Sequence, residues 1–393
     1  MPYYKRDLET VLCRGVAAFR VVILTGARQT GKSTLLQKLL GKSHQYVSLD
    51  DPRALKLALD DPELFLSEHE CPIVIDEFQY AAQLVPYIKL KVDRLQKKGM
   101  FVLTGSQQFT MMKNVQETLA GRAGLFHLLP MSMSEGKRSS QTYLFKGLVG
   151  SYPELVVTAK HDPEKWYSSY VATYIERDVQ PHYQLEKITY FRDLLFLLAT
   201  RSTQVLNYAS LSNDLGVSIS AIKLWIRILE ASQIIYLLRP YYVNLGSRIV
   251  KSPKVYFTDI GLLNYLLGNK QRKSLLKGPQ AGVIFENFVI QETLKYFFNK
   301  GQSAPIYYYR TNNGLEVDLL VEEKRGIVRP CEIKLTKTPR ADMLRPIDRL
   351  RELNKKKKIV ISKGSLITLR DGRSTMSRSA VCFGLADFLR SLD

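Results

Sequence analysis

Only four cysteines occur in 393 residues, and Cys13, Cys71, Cys331 and Cys382 stand far apart with no paired spacing. That excludes a disulfide framework and a cysteine zinc site, and reads all four as reduced thiols. No run of about 18 or more apolar residues is present, so no membrane-crossing helix is expected. The Met-Pro-Tyr-Tyr-Lys-Arg start lacks the apolar stretch of a signal peptide, which points to a cytoplasmic protein. Acidic residues are scarce beside basic ones, 37 against 57, for a net charge of +20. The surplus is uneven: residues 1–130 hold 17 basic and 13 acidic side chains, and the remaining 263 hold 40 and 24. A polyanionic partner is therefore expected mainly on the later two thirds, although a solvated, solubilising face accounts for the same surplus. What the chain does have is core-forming material. With 45% hydrophobic and 24% charged residues the composition is globular, and the length favours two or three domains.

The first third carries a phosphate-binding signature. Val21 to Thr25 is a short apolar, β-branched run of the kind that forms a buried strand. It feeds into Gly26-Ala27-Arg28-Gln29-Thr30-Gly31-Lys32-Ser33, which fits the pattern G-x-x-x-x-G-K-[ST]. The glycines let backbone N–H groups curl around phosphate oxygens, Lys32 reaches the β and γ phosphates, and Ser33 offers a hydroxyl to magnesium. Thr34 to Leu40 repeats its leucines at helical spacing and ends at Gly41. The loop is thus expected at a helix N-terminus, whose dipole favours an anion, with Thr34 in its first turn.

Ile73-Val74-Ile75 is a second buried-strand run and ends in Asp76-Glu77. Asp76 is expected to hold the magnesium shell and Glu77 to polarise the attacking water. Phe101 to Thr104 is a third such run, followed by Gly105-Ser106. In a parallel sheet Thr104 and Ser106 would face the γ phosphate; they serve equally as turn residues. Arg122 follows Leu119-Ala120-Gly121 and is a candidate finger on the transferred phosphate, within the chain or from a neighbour, or an ordinary surface arginine.

The runs Thr-Gly-Ala-Arg-Gln-Thr-Gly-Lys-Ser-Thr, Ile-Val-Ile-Asp-Glu-Phe-Gln, Leu-Thr-Gly-Ser-Gln, Leu-Ala-Gly-Arg and Leu-Leu-Pro-Met-Ser resemble the prokaryotic AAA-type ATPases that carry a C-terminal domain of unknown function. Tyr-Pro-Glu-Leu-Val at 152–156, Tyr-Ile-Glu-Arg-Asp-Val at 174–179 and Phe-Glu-Asn-Phe-Val at 285–289 extend the resemblance over nearly the whole chain. It implies an ATPase core, a winged-helix segment and a fold similar to the restriction-endonuclease class, with no settled biological role.

Residues 131–150, rich in Ser, Gly and Lys, read as a loop after the ATPase sheet. From Pro163 to about Ala199 the pattern is helical, with Trp166, Tyr170, Tyr174 and Leu194 to Leu198 on the apolar faces. Tyr208 to Leu215 reads as a short helix, Gly216 as a turn, and Ser218 or Ser220 as the cap of a second helix presenting Ile222, Trp225, Ile226 and Leu229. Gln233 to Arg239 reads as a strand, with Tyr241 to Val243 beyond it. This is helix-turn-helix spacing with a wing; Lys223 and Arg227, one turn apart, could touch phosphates or bases, or the segment could contact protein.

In the last third, Pro305 to Arg310, Leu315 to Val321 and Val328 to Leu335 read as strands, the last two joined as a hairpin. Side-chain alternation puts Glu332 and Lys334 on one face, with Asp318 opposite. The Asp...Glu-x-Lys pattern resembles the PD-(D/E)XK nuclease signature, and Glu286 matches that superfamily's preceding helix glutamate. The resemblance implies a magnesium site of Glu286, Asp318 and Glu332 with Lys334 near the attacking water, or a nuclease-like fold that keeps these residues as a salt-bridged cluster and cuts nothing. Lys355 to Lys358 could contact phosphates or simply be solvated.

The expected architecture is α/β: a P-loop parallel sheet with helices on both faces over residues 1–150, a helical and winged-helix segment over 151–260, and a restriction-endonuclease-like domain over 261–393. Expected ligands are ATP and magnesium, with DNA the expected partner, a protein partner the alternative, and the oligomeric state open.

Overall fold

The computed structural model describes residues 3–106, 118–135, 142–158, 161–175, 188–241, 252–311, 313–354 and 360–393. Five strands, β1 (Val21–Thr25), β2 (Gln45–Ser48), β3 (Ile73–Asp76), β4 (Phe101–Gly105) and β5 (Ala123–His127), lie parallel in the order β2-β3-β4-β1-β5. Because side chains alternate along a strand, Val21, Ile23, Ile73, Ile75, Phe101 and Leu103 enter one apolar core, and Val22, Leu24, Val74 and Val102 enter another on the opposite face. Helices α1 (Glu9–Ala18) and α2 (Lys32–Leu40) cover the second face; α3 (Pro52–Asp60), α4 (Pro62–Glu68) and α5 (Leu84–Leu95) cover the first. β4 stands between β1 and β3, so the loop after β1 and the acid closing β3 flank the end of β4.

Residues 131–150 depart from the expected loop. Thr142–Val149 form helix α6, and residues 136–141 lie outside the described residues. Tertiary packing overrides the local composition here: the Tyr143 ring meets Phe285 edge-on at 5.3 Å, and Lys146 is buried, 3.7 Å from Glu292. Helix α7 (Pro153–Val157) lies just ahead of the helical stretch predicted from Pro163, which contains α8 (Pro163–Tyr170), a wide turn through Ile175 and α9 (Ile188–Thr200); residues 176–187 of it lie outside the described residues. Helices α10 (Tyr208–Leu215) and α11 (Ile219–Ala231) follow. Gly216 sits between them at φ 64°, and Ser218 Oγ caps α11 by accepting from Ala221 N at 3.2 Å. Ile222, Trp225, Ile226 and Leu229 are all buried, as their spacing predicts. Strands β6 (Ile235–Leu238) and β7 (Lys254–Phe257) then pair antiparallel; Tyr242 and Val243 lie outside the described residues.

After α12 (Ile260–Leu266) and α13 (Arg272–Lys277), the long helix α14 (Ala281–Asn299) backs a seven-stranded mixed sheet. It comprises β8 (Ile306–Arg310), β9 (Glu316–Lys324), β10 (Ile327–Ile333), β11 (Val360–Ile361), β12 (Gly364–Thr368), β13 (Arg373–Ser377) and β14 (Ala380–Gly384), in the order β13-β14-β12-β10-β9-β8 with β11 beside β10. The predicted hairpin is β9 with β10, antiparallel with Cys331 opposite Leu319. Helix α15 (Arg345–Asn354) packs on one face of this sheet, and α16 (Leu385–Arg390) shares the core of the other with α14. Lys355 to Lys358 lie outside the described residues. One apolar core runs from Tyr143 through Trp225, Phe257 and Phe288 to Leu389, with no break in packing at the boundary expected near residue 260.

Candidate active site

The strand-loop-helix unit that opens the sheet builds the phosphate loop. Gly31 has φ 88°, a left-handed conformation that a side chain would strain. A Cβ on Gly26 would sit 2.3 Å from the Leu128 carbonyl oxygen, so only glycine lets the loop leave β1 there. Ala27 and Thr30 are buried, and the Thr30 hydroxyl donates to the Ala27 carbonyl at 2.8 Å. Arg28 is half-buried, while Gln29 and Thr34 are exposed on the loop and the first turn of α2. The Lys32 ammonium folds back on the loop, donating to the carbonyls of Gly26 at 2.9 Å and Ala27 at 3.0 Å.

Across from the loop, Ser33 Oγ donates to Asp76 Oδ2 at 2.6 Å, and the Tyr46 hydroxyl donates to the same oxygen. Glu77, at φ 53°, turns away from the strand and is bonded by the Gln79 amide, which also reaches Ser106 Oγ at 3.5 Å. Burial raises the Glu77 carboxyl above the usual range, opposed by the nearby Lys32 charge. Ser106 is buried, and so is the Thr104 hydroxyl, which has no hydrogen-bond partner among the described residues. Such an orphaned group at a strand end is a place for a ligand oxygen. The Ser33 and Asp76 oxygens are hard donors of the kind magnesium takes, so the residues present fit a magnesium nucleotide.

Arg122 lies elsewhere. It precedes β5 at the amino ends of the strands, the opposite end of the sheet from the loop, and its guanidinium forks onto Asp93 at 2.6 and 3.0 Å. A finger acting within its own chain is thereby corrected: the chain direction of β5 carries Arg122 away from the phosphate loop.

Three residues that no local motif marks hold the loop from behind. Arg6 is buried; its guanidinium donates to Thr30 O and Leu129 O at 2.8 Å each and pairs with Glu135 at 3.0 Å. Tyr170 donates to the Arg28 carbonyl at 3.3 Å. The Gln233 amide reaches Thr25 Oγ1. Each contact spans more than twenty residues of sequence, so periodicity carries no signal for it. A basic residue in an otherwise polar N-terminal segment was the one visible hint for Arg6.

The C-terminal acids meet lysines. Lys334 Nζ lies 3.1 Å from Asp318 Oδ2 and 2.8 Å from Glu332 Oε2, and Ile333 N donates to Asp318 Oδ2 at 2.9 Å. Glu286 instead accepts from the Tyr256 hydroxyl at 2.7 Å and lies 3.5 Å from Lys254. The expected metal set is therefore corrected: among the described residues no three acids, histidines or cysteines are grouped to hold a metal ion. Lys254 and Lys334 stand among the carboxylates and divide them into two ion-paired groups. Burial holds Glu286 and Glu332 well above the usual carboxylate range, with the neighbouring Asp318 charge adding to the rise and the lysines opposing it.

Comparison with known proteins bears on the amino-terminal domain as a whole. Residues 18–136 match a family described as AAA domain; residues 140–273 and 281–378 match two domains of unknown function, DUF8612 and DUF4143. The uncharacterized protein Rv2008c of Mycobacterium tuberculosis is 32% identical over 338 residues, 85% of this chain and 75% of that protein. The uncharacterized protein Mb2031c of Mycobacterium bovis gives the same figures. The chain belongs to the family of these two mycobacterial proteins. Among solved structures, the Walker-type ATPase PABY2304 of Pyrococcus abyssi is similar, with a TM-score of 0.46 and 15% identity, covering 67% of this chain and 96% of that one.

In this family member the amino-terminal body is a P-loop ATPase-like domain of the AAA type, built on a parallel sheet. No described helix is long and apolar enough to cross a membrane.

Proposed function

We propose that the protein is a magnesium-dependent ATP hydrolase whose nucleotide state sets its hold on DNA. The observation that carries the hydrolase is the 2.6 Å bond between Ser33 Oγ and Asp76 Oδ2, with Glu77 next in the chain. Lys32 swings from the Gly26 and Ala27 carbonyls to the β and γ phosphates, and the loop amides from Gly26 to Ser33 cradle the rest. Ser33 and Asp76 hold magnesium, which when bound offsets charge on the phosphates. Glu77 orients the attacking water and accepts its proton; Thr104 and Ser106 stand where the γ phosphate ends. Lys32→Ala and Glu77→Gln should each lower hydrolysis at least about 100-fold, with Glu77→Gln still binding ATP. Parent-like turnover in folded Lys32→Ala overturns the assignment.

The DNA-binding part of the reading rests on α10 and α11 followed by the β6–β7 pair, an order that fits a winged helix, with Lys223 and Arg227 both exposed on α11. Phosphate contacts release counterions, so DNA affinity should fall at least about tenfold between 50 and 200 mM salt and change when ATP is added. Affinity that is insensitive to both makes this face a protein-docking surface. The ion-paired carboxylates of the C-terminal sheet favour a nuclease-like fold retained as a scaffold over one that cuts DNA.

A further inference from the structure

Lys254 belongs to none of the motifs read from the sequence, yet it enters the C-terminal carboxylate cluster from outside the sheet. It opens β7, and its side chain is only 3% exposed. Its ammonium lies 2.5 Å from Glu316 Oε1 and 3.5 Å from Glu286 Oε1, and 5.6 Å from the centre of the Tyr308 ring. Glu316 and Asp318 are two apart on β9 and so share a face. Four carboxylates from α14, β9 and β10 thus meet two ammonium groups, Lys254 at the Glu286–Glu316 end and Lys334 at the Asp318–Glu332 end.

One oxygen of each carboxylate is already engaged, while Glu332 Oε1, at the Lys334 end, is buried with no hydrogen-bond partner among the described residues. Glu286 Oε1 accepts from Tyr256, Asp318 Oδ2 from Ile333 N and Lys334, Glu332 Oε2 from Lys334, and Glu316 Oε1 from Lys254. A divalent ion gathers about six oxygens at roughly 2.0–2.6 Å, and an ammonium group held against the same carboxylates competes with it for their negative charge. We propose that Lys254 is the resident cation of this cluster, a tethered ammonium that stands in place of a metal ion and latches β7 to the C-terminal sheet. Neighbouring contacts make the same join: Asn287 of α14 exchanges bonds of 2.7 and 2.8 Å with the Phe257 backbone, and the Tyr308 hydroxyl donates to Ser252 O at 2.7 Å. Because β7 is half of the hairpin that follows α11, the latch fixes the helix pair to the nuclease-like scaffold without metal. This rests on the scaffold reading of that sheet and is independent of ATP hydrolysis.

The test is manganese binding by electron paramagnetic resonance on the nucleotide-free full chain, comparing each background with and without Asp318→Asn to isolate this cluster from Ser33 and Asp76. The parent and Asp318→Asn should titrate alike. Lys254→Gln should gain one manganese per chain that Asp318→Asn removes. Removing one partner of a buried ion pair is costly, so Lys254→Gln/Glu316→Gln, which keeps the charge balance, carries the same test if the single variant does not fold. A manganese ion lost from the parent on Asp318→Asn overturns the proposal, and so does unchanged binding in the folded Lys254 variants. ATP turnover, measured on the same proteins, reports separately on the hydrolase.

Discussion

The side-chain amide of Gln233 donates to Thr25 Oγ1 at 3.3 Å and meets His127 Nδ1 at 2.9 Å, joining the corner between α11 and β6 to the residue ahead of the phosphate loop. A change at the loop therefore has a direct mechanical path to the helix pair. Gln233→Leu should leave basal ATP turnover within about threefold of the parent. The shift in DNA affinity caused by ATP should shrink about five- to tenfold, a coupling of 1–1.4 kcal/mol. Binding titrations with and without ATP read this; an undiminished shift sends the coupling through another contact.

His127 gives the same junction a pH dependence. Burial pushes its imidazole down to about 4, whereas in the unfolded chain it protonates near 6.5. The unfolded state therefore takes up the proton first as pH falls, and the stability contributed by neutral His127 is present above 6.5 and lost toward 4. Between pH 7 and pH 5 the parent should lose about 2 kcal/mol more than His127→Gln in urea unfolding. Parallel losses in the two proteins count against it.

Arg6 supports the loop through three contacts at once. Arg6→Ala strands the Glu135 carboxylate and two buried carbonyls, which should cost about 3–5 kcal/mol. Arg6→Lys retains the charge but not the fork, and should recover part of the stability while ATP binding stays weaker than in the parent. Denaturant unfolding and nucleotide titration of both variants separate the two effects; a loss under about 1 kcal/mol for Arg6→Ala removes the buttress.

Arg122 pairs with Asp93 in a half-exposed setting. Arg122→Ala should change stability little and leave ATP turnover of dilute protein unchanged. A tenfold fall confined to concentrated protein would place this guanidinium in a neighbouring chain's site.

The elements that depend on nearby residues were legible. The strand and helix around Gly26 to Ser33, the acids closing β3, the Gly216 turn and the β9–β10 hairpin follow from local periodicity and turn chemistry. What escaped depends on partners far away in sequence. Arg6 meets Glu135 across 129 positions, and Lys254 reaches α14 and β9. Thr142–Val149 is a helix despite its Lys and Gly because Lys146 donates to the Met131 carbonyl and lies beside Glu292, and Gly147 leaves room for Leu275. A lysine counted as surface charge from composition is a core residue there. The same ambiguity governs the C-terminal acids: residue types and spacing distinguish neither an ion pair from a metal site nor which cation the carboxylates keep.

The two domains of unknown function divide near residues 274–280, but Leu275 is buried there beneath Gly147, and the Tyr143 hydroxyl donates to its carbonyl at 3.0 Å. A cleavage or gene fusion placed at that seam would expose hydrophobic surface on both fragments. The apolar core crosses that seam and takes in Ala27 of the phosphate loop as well, so the family boundaries do not mark pieces that could be exchanged without repacking.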